Sequence, residues 1–260
     1  MAEVPLSLLE RSVLQETSIL IKTFERPACL TRLLNSIRAY YPDVRILVAD
    51  DSRIPSPIDG VEYYALPFDT GLTASRNYLL ERVKTEYFVL CDDDFVFTPE
   101  TRIEVFINLL KLNALDIVGG GLYLGPFLQT HNGLLELKEG CLSKIRGCRE
   151  DFGTHQICDM VLNFFGARTS AVRRLGGWDA RLKLCEHALF FLKAKGRLRV
   201  AYTPLVAAEH IQEQQPEYMR FRRRSFDFFF QFCGDYGVKR MVEFDGTAFE
   251  MPNAPQTRHP

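Results

Sequence analysis

Apolar residues in this chain fall into two alternating patterns. Short continuous runs read as buried strands, and between them apolar positions recur every three or four residues, the spacing of one helix face. Thr17 to Thr23 (TSILIKT) predicts the first strand. After Pro27, the spacing of Leu30, Leu33, Leu34, Ile37 and Tyr41 predicts a helix with proline in its first turn, ended by Pro42. Val44 to Ala49 (VRILVA) predicts a second strand, Val61 to Leu66 a third, and Thr73 to Lys84 a helix burying Leu79, Leu80 and Val83. Tyr87 to Cys91 (YFVLC) is the fourth strand. Thr98-Pro99-Glu100 then reads as a cap, first-turn proline and first-turn acid of a helix carrying Ile103, Phe106, Ile107 and Leu110. Asp116 to Val118 returns as a strand into Gly119-Gly120-Gly121. Strands alternating with such helices predict parallel β-α-β units, an α/β fold with a mostly parallel central sheet flanked by helices in one domain.

From Leu122 to Asp159 the pattern loosens into glycine-punctuated hairpins or long loops. Val161 to Ala167 is apolar again, Glu186 to Lys195 reads as helical, and Leu198 to Thr203 as a strand with a separate short element ending at His210. Pro216 opens a final helix with an aromatic stripe from Tyr218 to Phe232. The stripe reads as packing and Arg220, Arg222, Arg223 and Arg224 as solvated, with a membrane-surface element as the alternative. After Gly246 the tail reads as loosely ordered. The expected organisation is an extension over 1–16, the main domain over 17–240 and a tail over 241–260.

Composition narrows the class. The chain has 260 residues, 47% hydrophobic and 25% charged, with a net charge of −1. A chain this long buries about three quarters of its unfolded surface, so it needs no disulfide or metal to hold a core. The missing basic bias argues against a nucleic-acid partner. The longest apolar runs are strand-sized, well short of the ~20 residues that cross a bilayer. Residues 1–16 lack a basic start followed by an apolar run, so they do not read as a signal peptide. The seven cysteines show no C-x-x-C spacing. Cys29 and Cys91 read as core, whereas Cys141 and Cys148 flank a loop and could pair in an oxidising compartment.

Ligands of open parallel sheets bind beyond the carboxyl ends of the strands. Thr23, Asp50-Asp51 and Asp92-Asp93-Asp94 fall there. A single Asp after a strand also reads as a turn residue, but three in a row repel unless a cation sits among them. On extended backbone Asp92 and Asp94 share a face and can meet one ion. Oxygen ligands suit magnesium, calcium or manganese, and Mg²⁺-type ions combine one or two carboxylates with substrate phosphates. That makes a nucleotide diphosphate the natural second partner. Arg76, near the start of a helix, is a candidate to hold it.

The runs Ile21 to Arg26 (IKTFER), Ala49 to Ser52 (ADDS), Gly71 to Asn77 (GLTASRN), Cys91 to Phe97 (CDDDFVF) and Asp159 to Thr169 (DMVLNFFGART), with the Glu186 region and His210, resemble an inverting GT-A glycosyltransferase. More narrowly they resemble the β-1,4-N-acetylgalactosaminyltransferases of the ganglioside GM2/GD2 synthase type, relatives of the family-two enzymes. The resemblance spans roughly residues 17 to 235. It implies a UDP-sugar donor, a glycan or glycolipid acceptor and a divalent metal. Residue by residue, it implies that Thr23 and Asp50 or Asp51 contact uracil and ribose, and that Arg76 contacts the diphosphate. It implies that Asp92 and Asp93 hold the ribose and a metal-bound water, and that Asp94 and His210 are metal ligands. An imidazole among oxygen ligands favours Mn²⁺ over Mg²⁺.

Relatives carry the base of the reaction in an acidic pair after a Gly-Trp-Asp segment, here Gly177-Trp178-Asp179. Trp178 and Asp179 are the acceptor-binding candidates. Where one or two further acids are expected, this chain has Ala188 and Leu189. Glu186 is therefore the leading candidate base and His187 the second. If neither reaches an acceptor, the alternative is a sugar-nucleotide-binding protein of impaired activity. A sugar-nucleotide pyrophosphorylase is disfavoured, because no glycine-rich basic loop follows the first strand. Eukaryotic relatives are Golgi membrane proteins with an anchor and stem. With neither in this sequence, the expectation is a soluble cytoplasmic protein, or a Golgi-lumenal one if an anchor is supplied elsewhere.

Overall fold

The computed structural model describes residues 13–213 and 216–250. Most of the expected 1–16 extension and the last ten residues of the expected tail lie outside them. The first strands are β1 (Thr17–Thr23), β2 (Arg45–Asp50), β3 (Glu62–Ala65) and β4 (Tyr87–Asp92), with helices α1 (Pro27–Tyr40) and α2 (Leu72–Arg82) as their crossovers. β1 is buried along nearly its whole length, which is why its sequence is a continuous apolar run. Its alternate side chains serve different faces. Leu20 packs with Leu79 and Leu80 of α2, whereas Ile19 and Ile21 pack with Leu30, Leu33 and Ile37 of α1.

Later strands are β5 (Phe95–Val96), β6 (Ile117–Leu124), β7 (Phe127–Gln129), β10 (Glu150–Asp151), β11 (Gln156–Cys158), β12 (Phe165–Arg168) and β13 (Val200–His210). They complete a sheet of order β10-β11-β13-β6-β12-β4-β1-β2-β3. Along its middle, β13, β6, β4, β1, β2 and β3 point the same way and only β12 is reversed. The α/β fold and mostly parallel sheet read from the sequence are thus present. β12 is the exception because its chain enters the sheet from the carboxyl ends of its neighbours.

Helix α3 (Ile103–Leu112) starts later than Thr98-Pro99-Glu100 suggested. The Thr101 hydroxyl donates to the Ala207 carbonyl (2.7 Å) and accepts from the Thr98 amide (2.8 Å), so this turn ties α3 to β13 instead of capping it. Buried Glu104 in the first turn accepts from the Tyr41 hydroxyl (2.7 Å) and Arg102 Nε (2.8 Å). The two expected elements at Leu198–His210 are one strand, β13, irregular between Tyr202 and Ala207.

The loose central region holds two of the four strands of a second sheet. β8 (Gly133–Lys138), β9 (Cys141–Arg146), β14 (Arg240–Val242) and β15 (Ala248–Glu250) form it in the order β15-β14-β9-β8. The tail is therefore paired as far as Glu250, contrary to the expectation of loose order after Gly246. The expected final helix is two, α6 (Pro216–Arg222) and α7 (Ser225–Phe232), after α4 (Thr169–Leu175) and α5 (His187–Ala194). The break lets α7 bury Phe229 in the main core while α6 turns toward the strand ends. All seven cysteines are free thiols, so Cys141 and Cys148 do not pair. Among the described residues no helix is long and apolar enough to cross a membrane.

β6 runs through the glycine triplet that had seemed to end it. A Cβ at Gly119 would lie 2.4 Å from Val161 Cβ, and one at Gly120 would lie 2.6 Å from the Val206 carbonyl oxygen. Glycine here admits neighbouring chains, not a turn. The second obstacle is backbone, which cannot swing aside, so Gly120→Ala is expected to destabilise the fold by ~1–3 kcal/mol. Urea unfolding measures this; an unchanged midpoint would mean that the sheet relaxes freely there.

Candidate active site

Strands β1, β2 and β4 end side by side, with Thr23 level with Asp50 and Lys22 level with Asp92. Beyond them lies a cavity of about 420 Å³, lined by Asp51, Asp92, Asp93, Asp94 and Glu186 and by Tyr218, Phe221 and Arg222. Its size and place are those of a ligand site at the carboxyl edge of a parallel sheet.

The three aspartates are not left to repel one another. Asp93 is buried and accepts from the Thr23 hydroxyl (2.6 Å) and from Arg26 Nη2. Burial nonetheless pushes its carboxyl up to about 6, against the pull of Arg26 and Thr23. Asp94 Oδ2 accepts from Arg26 Nη1 (2.8 Å) and lies 3.4 Å from His210 Nε2. Burial favours its protonated form, but His210 and Arg26 outweigh it and hold the carboxyl below the usual range. β5 pairing with β13 sets Phe95 against His210, which brings the imidazole to Asp94. Asp92 accepts from Arg76 Nη2 (2.7 Å), yet enclosure among other acids leaves its carboxyl above the ordinary value.

Arg76 is almost fully buried, and its other terminal nitrogen, Nη1, donates to Glu186 Oε1 (2.5 Å). It bridges two acids from behind and does not border the cavity. Glu186 also accepts from Asn163 Nδ2 (3.1 Å) and makes no side-chain cap bond to α5. Burial alone would raise its carboxyl, but the Arg76 charge and the Asn163 hydrogen bond bring it below the usual range. His187 borders the cavity, but its Nε2 points to the Val161 carbonyl oxygen (2.6 Å), and burial holds the ring neutral. Ala188 and Leu189, where acids were expected, lie in the main apolar core. A carboxylate at Leu189 would have no polar surroundings.

Asp51 borders the cavity, held by Lys22 Nζ (2.9 Å) and the Gly71 amide (2.7 Å). Asp50 lies behind it, accepting from the Ser52 amide (2.8 Å) and the Tyr63 hydroxyl. Trp178 and Asp179 are not brought to the cavity. Trp178 is 2% exposed and stacks on Phe190 with ring centres 4.9 Å apart, so it has no free face for a sugar. Asp179 is taken up by Arg181 (2.6 Å) and the Tyr236 hydroxyl (3.0 Å).

Sequence reasoning missed Arg26, Asn163, Tyr218 and Arg222. Arg26 ended a run already singled out, and its place just after β1 was the available signal. Tyr218 was assigned to a packing stripe, but the Arg26 guanidinium lies over its ring at 3.9 Å. Phe221 packs edge-on against Phe24 (4.8 Å), and Arg32 pairs with Glu213 (2.6 Å). These contacts set α6 across the cavity as its outer wall.

Replacing Arg76 tests the buried bridge. Arg76→Met strands Glu186 and Asp92 without their shared cation, so a loss of roughly 3–5 kcal/mol of stability is expected in denaturant titration. A loss below about 1 kcal/mol, the scale of exposed pairs, would mean that water replaces the guanidinium.

Comparisons with known proteins agree with this fold. Residues 18–174 match Glycosyl transferase family 2. The mouse beta-1,4 N-acetylgalactosaminyltransferase 2 is 38% identical over 219 residues, 80% of this chain and 42% of that protein. The human beta-1,4 N-acetylgalactosaminyltransferase 1 is 40% identical over 205 residues, 74% of this chain and 38% of that protein. The chain thus spans about two fifths of the length of these relatives. A crystal structure of S. aureus TarS, residues 1–349, superposes with a TM-score of 0.54 at 16% identity, covering 75% of this chain and 60% of that one. The α/β fold with its mostly parallel central sheet is the GT-A fold of this solved neighbour, and with the match running from β1 into α4 this chain belongs to glycosyl transferase family 2.

Proposed function

We propose that the chain transfers a sugar, N-acetylgalactosamine or a related one, from a UDP-sugar to a hydroxyl of a glycan acceptor, with inversion and with a divalent ion bound. The observation that carries this reading is the row of acids from Asp92 to Asp94 at the end of β4, beside a cavity of about 420 Å³, with His210 next to Asp94.

Asp94 and His210 fit an ion of the manganese type. They offer a carboxylate oxygen and an imidazole nitrogen on the cavity wall, and among the described residues both contacts to Asp94 fall on Oδ2, leaving Oδ1 for an ion. Among the described residues no group of three or more His, Cys, Asp or Glu is gathered to hold a metal, so an ion here depends on donor phosphates for its remaining ligands. When bound, such an ion neutralises the charge that develops on the leaving diphosphate.

The chain's own residues do the rest. Asp51, fixed by Lys22 and the Gly71 amide, borders the cavity where a ribose or base would lie; Thr23 and Asp50 do not line it, and Thr23 acts by holding Asp93. Glu186, ionised and held by Asn163 and Arg76, takes the proton of the acceptor hydroxyl as that oxygen attacks the anomeric carbon. Its lowered proton affinity makes it a weaker base than one tuned near neutrality. That feature, with Ala188 and Leu189 in the core, supports a second reading: a protein that binds the donor but turns it over poorly.

A screen of UDP-sugars with Mn²⁺ across glycan acceptors tests the activity. Asp94→Asn is expected to weaken Mn²⁺-dependent UDP binding by about tenfold or more, measured by calorimetry. An unchanged affinity removes the metal assignment. Glu186→Gln is expected to slow transfer by roughly 10²–10⁴-fold with UDP affinity retained. UDP binding by the wild type with no turnover on any acceptor would favour the second reading.

A further inference from the structure

The site was expected to grip the donor diphosphate through Arg76. Both terminal nitrogens of Arg76 are committed to Glu186 and Asp92, and the residue lies outside the cavity wall. A diphosphate therefore needs another cation. The cavity wall carries five, Lys22, Arg26, Lys183, Arg222 and Arg224. Four already face carboxylates: Lys22 pairs with Asp51 (2.9 Å), Arg26 with Asp93 and Asp94, Lys183 with Asp69 (2.8 Å) and Arg224 with Asp69 (3.3 Å). Arg222 differs. Among the described residues it has no carboxylate partner, and its one hydrogen bond there runs to the Tyr218 hydroxyl at 3.4 Å, the long end of the range.

We infer that Arg222, carried by α6 on the outer wall of the cavity, is the guanidinium that holds the donor's diphosphate. The inference rests on the reading of the cavity as a nucleotide-sugar site and names the residue that grips the phosphates there. Arg222 lines the same cavity as Asp92 and Glu186. Its side chain is exposed to solvent; desolvation works against its charge, but the fields of Tyr218, Asp92, Cys185 and Glu186 more than offset that. A planar guanidinium whose donors meet no carboxylate among the described residues suits bidentate recognition of phosphate oxygens. Arg26 supports this from beneath. Its stacking on Tyr218 at 3.9 Å fixes the ring whose hydroxyl orients Arg222, so α6 is positioned by the same arginine that bridges Asp93 and Asp94. The diphosphate would then lie between an acid floor and a cationic roof, a place that favours an anion joined to a divalent cation over either alone.

The test is calorimetry of UDP and of uridine, each with Mn²⁺, on the wild type, Arg222→Ala and Arg222→Lys. Arg222→Ala is expected to raise the Kd for UDP about tenfold or more while the Kd for uridine changes less than about twofold, because only the phosphate contact is lost. Arg222→Lys, which keeps the charge without the fork, is expected to fall between the two. Melting curves should be close to wild type, since no carboxylate is stranded; if the alanine variant fails to fold, the lysine variant carries the comparison. UDP binding as tight in the variants as in the wild type, or an equal loss for UDP and uridine, overturns the assignment of Arg222. A wild type that does not bind UDP at all removes the nucleotide-sugar reading itself, and Arg222's role with it.

Discussion

The site depends on how four carboxylates are held together where β4 stops. Asp92, Asp93, Asp94 and Glu186 crowd one side of a partly enclosed cavity, where like charges repel strongly and desolvation is costly. Two guanidiniums resolve this, and each spans two acids. Arg26 joins Asp93 to Asp94, and Arg76 joins Asp92 to Glu186. Arg26 follows β1 and Arg76 sits in the second turn of α2, so the bridges form only when β1 lies between β2 and β4. The sheet order and the charge balance of the site are therefore one requirement. The acids are fixed in place before any ligand arrives, which lowers the reorganisation that binding demands.

Around that floor the rest of the molecule supplies walls. The break between α6 and α7 lets the C-terminal aromatics serve two purposes. Phe229 of α7 seals the main core, and Phe221 of α6 packs on Phe24 above the strand ends. The second sheet, which draws strands from both the middle and the end of the chain, joins the main body through Asp159, which accepts from the Leu135 amide (3.0 Å) and from Arg149. The C-terminal segment that carries the outer wall is thereby anchored on both sides.

Glu186 shows the tension in the arrangement. It is the acid placed to meet an acceptor, yet the guanidinium that makes its burial tolerable also lowers its basicity. Ala188 and Leu189 are in the core and cannot share the work. The chemistry of this site is thus concentrated in one carboxylate whose proton affinity is governed by Arg76.

Sequence alone determined β1 to β4 and the helices between Thr17 and Leu112, though not the short β5 or the late start of α3, and it singled out the strand ends that carry Thr23, Asp50, Asp51 and the Asp92–Asp94 row. These features are legible because burial on two faces demands continuous apolar runs, and the acids mark where those runs end. Only the tertiary structure decided the rest. The reversed β12, the second sheet and the passage of β6 through Gly119-Gly120-Gly121 arise from contacts between segments far apart in the chain. The division of labour among the arginines was equally hidden, because a guanidinium's role depends on which carboxylate its long side chain meets. Arg76 reads in sequence as a phosphate ligand and Arg222 as a solvated surface residue. Folding buries the first between two acids, whereas the second stays exposed, as read, but at the wall of the cavity.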